Sequence, residues 1–476
     1  MSFSAFRRLH VIAGIFVAPL IVVAAFSGFF YALAPTIEKG IYHEKLTATS
    51  NQPAHALNEQ IAAARTVHPE LPIKGIQVPG DMTPGEVGST TTRVLFADEQ
   101  LESESYTHAV FVDPGDLSIK GDLIQYGSSG ALPFRTWLSN GHRNLWLGET
   151  GRIYSETAAS WLGPLAVSGV LVWFFHRRRT TAQRSTRKPA RGTRRLAMAR
   201  HSAIGLVVTP GLIFLCVSGL TWSLFAGENI AQLREKLSWM PPTPETTISA
   251  TATPGAPSNN LKHGDHGGHG GYADHHGHGH DAENNPDSAT APPAAFDAQS
   301  DLVLSTARTG GLSGLMELTP PKETGTAWTA FESRQPYRLL NDSLAIDGTK
   351  GTVTDSVPFS SWPLTAQATA WIIQLHMGTL FGLWTQIALA LLAVAILALV
   401  VYGYVMWFKR GRDRSFGSLP APINWRELPV WARVILPLCV VAYALVAPLF
   451  GVSLILFVSA DLLFRLVRRQ QDRAEA

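Results

Sequence analysis

The chain has 476 residues, 46% of them hydrophobic and only 16% charged. That charged share is well below the roughly 25% of ordinary soluble domains, and the apolar residues form runs long enough for about 30 Å of hydrocarbon, which excludes a purely soluble enzyme. The net charge of +3 says less than its distribution, because Arg177 to Arg200 holds ten Lys or Arg and no acid, the mark of a cytoplasmic loop.

Arg7 and Arg8 open the first apolar run and place the N-terminus inside. A membrane helix is expected over 10–33, within a first segment of 1–34. Ala32-Leu33-Ala34 looks like a signal cleavage site, but the run is long for a signal core and its pattern returns mid-chain, so a retained helix is expected. Residues 35–140 read as an extracytoplasmic α+β domain. It has a helix-like stretch at Ala54–Val67, β-like runs at Ile73–Val78, Thr91–Phe96 and His108–Val112, and a turn at Asp113-Pro114-Gly115. Leu132–Leu147 carries Trp137, His142 and Trp146, with the tryptophans suggesting an interfacial belt, and segment 141–176 holds a second membrane helix over 157–176.

The basic loop 177–200 leads to segment 201–226, with a third helix over 203–226. Region 227–362 is again extracytoplasmic and α+β, with a helix near 297–308, strands near Leu315–Leu318 and Ala327–Phe331, and a turn at Asp347-Gly348. It is interrupted over about 241–295 by a Pro-, Ala-, Thr-, Gly- and His-rich insert that cannot bury a core. Segment 363–408 carries His376 and a fourth helix over 384–408, ending at Lys409-Arg410. After a cytoplasmic loop, 409–429, the apolar stretch 430–467 reads as a helical hairpin turning near Ala447-Pro448, and 468–476 as a cytoplasmic tail. Cys216 and Cys439 lie in apolar runs and read as buried packing residues, with no disulfide or thiolate metal site.

The chain repeats itself. His10, Gly14, Pro19 and Ser27-Gly28 recur at the same spacings as His201, Gly205, Pro210 and Ser218-Gly219. Likewise His142, Gly148, Gly169 and Trp173 recur as His376, Gly382, Gly403 and Trp407, and Asp113 precedes His142 by 29 residues, as Asp347 precedes His376. The offset grows from 191 to 234, and the difference of 43 approximates the insert. The expected architecture is therefore a membrane all-α bundle of four core helices in two pseudo-repeats, with a C-terminal helical hairpin and two extracytoplasmic α+β domains.

By orientation, His10 and His201 lie near the cytoplasmic face, and His142 and His376 near the external one. Two histidines facing across a helical bundle form a bis-imidazole haem arrangement, which suits electron transfer because it leaves no open iron position. Gly14, Gly205, Gly148 and Gly382 would let a flat macrocycle approach the backbone. Histidines at a membrane boundary also serve as interfacial or packing residues, and duplication preserves packing as well. Yet an ionisable side chain within a span is costly enough to point to function. The absence of thiolates and nearby acids argues against zinc or di-iron.

His176 is a competing ligand, but its repeat counterpart is Arg410, which favours a phosphate- or interface-facing role. His43, His55, His68 and His108 have no counterparts and read as ordinary surface or domain residues. The insert holds His263, His266, His269, His275, His276, His278 and His280, with Asp265, Asp274 and Asp281 among them, a composition that binds Cu, Zn, Ni or Fe loosely or serves as a hydrophilic spacer. There is no dinucleotide fingerprint, Walker A motif, Gly-x-Ser-x-Gly elbow or His-Glu-x-x-His motif. Electrons would therefore come from a quinol or a separate reductase, and no nucleic-acid partner is expected.

Taken together, Arg8-Leu9-His10…Gly14…Pro19…Ser27-Gly28, Val110-Phe111-Val112-Asp113-Pro114, His142…Gly148 and Ser168-Gly169…Trp173, with their repetition from Arg200-His201 to Gly403…Trp407, resemble the PepSY-associated transmembrane helix family over about residues 5–410. That family is similar to bacterial inner-membrane iron-uptake proteins, including di-haem reductases of ferric siderophores. The resemblance implies two PepSY-like extracytoplasmic domains and two haem b groups with His10, His201, His142 and His376 as ligands. The expectation is a di-haem electron-transfer protein that reduces an extracytoplasmic ferric chelate or another metal during uptake. The alternatives are a metal- or haem-binding membrane protein without redox turnover and a regulatory scaffold.

Overall fold

The computed structural model describes residues 3–180, 192–248, 296–410 and 430–474. In chain order come α1 (Phe3–Ile41), α2 (His43–Leu46), α3 (Leu57–Arg65), β1 (Ile73–Val78), β2 (Thr92–Phe96), β3 (Tyr106–Val112) and β4 (Ile119–Tyr126). Then follow α4 (Pro133–Asn144), α5 (Gly148–Thr180), α6 (Arg194–Leu220), α7 (Phe225–Lys236) and α8 (Ser300–Thr309). The second run of strands is β5 (Met316–Thr319), β6 (Trp328–Glu332), β7 (Ser343–Asp347) and β8 (Thr352–Val357). The chain finishes with α9 (Leu364–His376), α10 (Leu383–Arg410), α11 (Val430–Val446) and α12 (Pro448–Ala474). Two compact units result: a helical one, Met1–Ala32, Leu138–Leu237 and Gln386–Ala476, and a sheet-containing one, Leu33–Trp137 and Ser238–Thr385.

Among the described residues, four helices are long and apolar enough to cross a membrane: Arg7–Ile41, Gly148–Arg177, Arg194–Leu220 and Leu383–Lys409. At about 1.5 Å per residue each exceeds the ~30 Å of a hydrocarbon core. Within the helical unit, Ala13, Val17, Ile21, Trp161, Leu212, Cys216 and Ile396 form one core with Ala447 and Phe450 of the C-terminal segment. That segment is a hairpin broken at Ala447, as its sequence suggests. Its tether is polar as well as apolar: Arg8 pairs with Asp461, and Trp161 Nε1 donates to Ser453 Oγ at 2.8 Å. Cys216 is buried as expected, whereas Cys439 is exposed on α11, beside the equally exposed Ile435 and Leu438. The outer side of α11 is apolar, so hydrophobicity alone did not predict burial.

Proline removes a backbone N–H and orphans the carbonyl four residues earlier. Tyrosines answer this twice. Pro19 frees the Ile15 carbonyl, which accepts from Tyr404 Oη at 2.9 Å, and Pro164 frees that of Ser160, which accepts from Tyr443 Oη at 2.7 Å. A third polar device ends α6 early. The expected helix over 203–226 stops at Leu220, because the buried Glu156 carboxylate accepts from Phe225 N and Ala226 N, each at 2.9 Å, and so starts α7 in a new direction.

In the other unit the eight strands among the described residues form one antiparallel sheet, ordered β4-β3-β2-β1-β5-β6-β7-β8. The two α+β segments expected as separate domains thus share a sheet, joined where β1 meets β5 with Gln77 opposite Glu317. Pairing the two inner edges removes an exposed strand edge from each. Strand alternation turns Ile76, Val78, Val94, Phe96, Val110, Val112, Met316, Leu318, Trp328, Leu344 and Ile346 to one face. There they pack with Leu57, Ile61 and Ala64 of α3 and Val303, Leu304 and Ala307 of α8. Asp301 of α8 caps α3, accepting from Leu57 N at 2.6 Å and Asn58 N at 3.3 Å. The repeated aspartates play one role: each is buried, organises its turn through backbone N–H groups, and meets a lysine at 3.3 Å (Asp113 with Lys120, Asp347 with Lys350).

Removing the Tyr443 hydroxyl, as Tyr443→Phe, leaves the Ser160 carbonyl unsatisfied and should destabilise the chain by about 1–3 kcal/mol, read as a lower thermal midpoint in detergent. Burial raises the pKa of the Asp113 carboxyl, but hydrogen bonds from Thr49 N, Gly115 N and Ser50 N and from Lys120 outweigh it and hold it below the usual carboxylate range. A lowered carboxyl contributes stability above its unfolded value and loses it as pH falls through the folded one. Asp113→Asn should therefore cost about 1–3 kcal/mol at neutral pH, and its gap to the parent should close below about pH 4 in pH-dependent melts.

Candidate functional site

The candidate site is built from one contact made twice. His10, on α1, places Nδ1 3.2 Å from the Leu165 carbonyl and 3.2 Å from Ser168 Oγ, both on α5. His201, on α6, places Nδ1 3.0 Å from the Leu399 carbonyl on α10. Leu165 and Leu399 are separated by 234 positions, the offset of the second repeated block. Each histidine of the first block therefore docks on the second-block helix of its own half.

A carbonyl oxygen only accepts, so both Nδ1 atoms carry the proton. In the neutral ring, Nε2 then holds the lone pair, the arrangement of a metal-ligating imidazole steadied by its other nitrogen. Glycines permit the close approach. A Cβ on Gly169 would sit 3.0 Å from His10 Cε1, and one on Gly403 would sit 3.9 Å from His201 Cε1. Both glycines lie one turn beyond the accepting carbonyl, at Leu165 and Leu399. The two imidazole rings lie 6.1 Å apart, centre to centre, with their planes at 79°.

His142, near the end of α4, repeats the pattern in the same unit. Its Nδ1 is 3.0 Å from Ser27 Oγ, and Ser27 already donates its own proton to the Val23 carbonyl at 2.8 Å, so His142 is the donor. A Cβ on Gly28 would lie 3.0 Å from His142 Cε1. The ring of Tyr31 stacks on it at 5.9 Å and 7°. His376 is the last residue of α9, in the sheet-containing unit, where Gln374 two positions earlier is fully buried.

Of the glycines expected to admit a macrocycle, two have another task. Gly148 and Gly382 take positive φ, 60° and 54°, at the starts of α5 and α10, a conformation that favours glycine. Gly14 and Gly205 do border space: a Cβ on Gly14 would meet nothing within 4 Å, and one on Gly205 only Leu399 at 3.6 Å. His176 is exposed near the end of α5, beside Arg177, whose guanidinium lies over Trp173. His43 is exposed, and His55 pairs with Glu59 at 2.9 Å. The seven histidines from His263 to His280 lie outside the described residues.

The roles of Ser27, Gly28, Leu165, Ser168, Gly169, Leu399 and Gly403 were not assigned from the sequence. The signal was there in part, since Ser27-Gly28 and Gly169 recur in register. No curated protein matches the chain. Residues 7–410 match the family described as the PepSY-associated TM region, which takes in the four membrane-length helices and every histidine of the repeat. A match over that much of the sequence makes the chain a membrane protein of the PepSY-associated TM region family.

Proposed function

We propose that this protein is a di-haem electron-transfer protein of the bacterial inner membrane that reduces an extracytoplasmic ferric chelate, a ferrisiderophore or a related metal complex, during metal uptake. The observation that carries the reading is the His10–His201 pair. The two rings lie 6.1 Å apart, centre to centre, and would hold haem iron between them. The donor chemistry fits too, because each Nδ1–H is committed to a neighbouring helix and each Nε2 keeps its lone pair. The Ser27 and Gly28 environment of His142 supports a ligand role for that histidine too, and the repeat extends the role to His376. Haem held by two histidines has no open iron position and supplies reversible one-electron transfer.

The chain's own residues hold and orient the imidazoles. The Leu165 and Leu399 carbonyls fix the tautomer and make Nε2 a stronger donor. Ser168, which donates to the Leu165 carbonyl at 3.1 Å, steadies the same proton. Gly169 and Gly403 keep the helix surface low beneath the rings. The ten basic residues from Arg177 to Arg200 support reading that loop as cytoplasmic, and with it a topology in which both chain termini are inside. Reduction suits the task of metal release, since hard-oxygen chelators hold iron less firmly once it is reduced.

His10→Ala and His201→Ala should each remove the same haem and leave the other, halving the haem measured per chain by pyridine haemochrome; full haem content in both variants would overturn the assignment. The glycines give a graded check. Gly169→Ala should push His10 by a few tenths of an ångström and shift the spectrum or midpoint potential of that haem, whereas Gly403→Ala, with ordinary contact distance to spare, should leave both unchanged.

A further inference from the structure

The sheet-containing unit holds a cluster that the histidine repeat does not reach. His108 lies on β3 and Asp122 on β4, while Asp98 just follows β2 and His68 just follows α3. His108 shares a strand face with Val110 and Val112, the face that α3 covers. Helix α3 ends at Arg65, so that end of the face is left to His68, whose ring packs at 5.4 Å on the fully buried Phe96. His68 and His108 have no counterparts in the repeat, yet the fold brings their rings to 4.5 Å, centre to centre.

We propose that His68, His108 and Asp122 bind one divalent first-row transition-metal ion, with Asp98 positioning His108. One ligand atom from each of the three lies within 4.8 Å of the others. Asp122 Oδ2 is 2.8 Å from His68 Nε2 and 3.5 Å from His108 Nδ1. Ligands about 2.0–2.2 Å from a tetrahedral ion stand roughly 3.3–3.6 Å apart, so the His108–Asp122 spacing already suits a shared ion and the His68–Asp122 pair must open slightly. The other nitrogen of His108, Nε2, is 3.3 Å from Asp98 Oδ2. A proton on Nε2 leaves the Nδ1 lone pair directed to the site, the carboxylate–histidine–metal relation of known metal centres.

Two imidazoles and a carboxylate, without thiolate, select Zn²⁺, Fe²⁺, Co²⁺ or Ni²⁺ over Mg²⁺ and Ca²⁺, which prefer all-oxygen shells, and over Cu⁺, which prefers sulfur. The side chains keep 18–30% of their surface exposed, so the site is reachable from solvent while the sheet and Phe96 hold the ligands in place. The site does not depend on the haem reading, since none of its residues belongs to the histidine repeat.

The test is a Zn²⁺ titration by calorimetry of the full-length, haem-loaded chain in detergent. His263, His266, His269, His275, His276, His278 and His280 are first replaced by Asn, so that the insert does not compete. One saturable site per chain is expected. His68→Asn and Asp122→Asn should abolish it, and Asp98→Asn should weaken it by about 10–100-fold, all with unchanged haem content and far-UV circular dichroism. Absence of saturable binding in the insert-silenced parent, or binding that survives both His68→Asn and Asp122→Asn, would overturn the proposal. Co²⁺ added to the insert-silenced parent gives a reading free of folding effects: intense d–d bands from a low-coordinate imidazole site support the proposal, and a spectrum of aqueous Co²⁺ contradicts it.

Discussion

The helical unit depends on a hydrogen bond from an imidazole Nδ1–H to a carbonyl on the neighbouring helix. A helix carbonyl is normally spoken for by the N–H four residues on, so a second donor must come in from the side. That requires the donor ring to lie close to the helix surface, most tightly at Gly169, where a Cβ would stand 3.0 Å from the His10 ring. His10 meets Leu165 over Gly169, and His201 meets Leu399 over Gly403. This contact positions two helix pairs, sets the tautomer of two rings, and accounts for four of the duplicated residues.

The same demand, that no backbone polar group be left without a partner away from water, explains features that hydrophobicity does not. Tyr404 and Tyr443 answer carbonyls freed by Pro19 and Pro164, and Glu156 answers the first N–H groups of α7. In the sheet-containing unit, Asp301 caps the helix of the opposite half, and Asp113 and Asp347 organise equivalent turns. Of these, the turns of Asp113 and Asp347 are duplicated in register, as are the His10 and His201 contacts. Duplication also made the long sheet: two copies of one helix-and-strand unit each present an inner edge strand, and β1 and β5 close on one another with Gln77 Nε2 donating to Glu317 Oε2 at 2.9 Å.

Much of this was legible in the sequence because it was written twice. The spacing of His10, Gly14 and Pro19 against His201, Gly205 and Pro210 located two of the long helices, and the hairpin break at Ala447 followed from Pro448. Strands β1 and β2 were readable from their apolar and β-branched residues, whereas β4, β7 and β8 were not. Ile119–Tyr126 mixes Lys, Gly and Asp, and Thr352–Val357 is largely exposed at the sheet edge, so neither carries the alternation of a half-buried strand. The pairing of β1 with β5 has no local signature, since it joins residues 240 positions apart, such as Gln77 and Glu317. The carbonyl partners of the histidines were equally hidden, because a backbone oxygen leaves no mark in the sequence. His68, His108 and Asp122 come from three elements whose convergence only the fold defines.

The central claim is that paired imidazoles hold haem in this membrane protein. The most direct measurement is the visible absorption spectrum of the wild-type protein, purified in detergent from cells supplied with haem, oxidised and then reduced with dithionite. The account predicts sharp low-spin b-type bands, with two haems per chain, that return reversibly on reoxidation. A colourless protein, or a spectrum of five-coordinate high-spin haem, would contradict it.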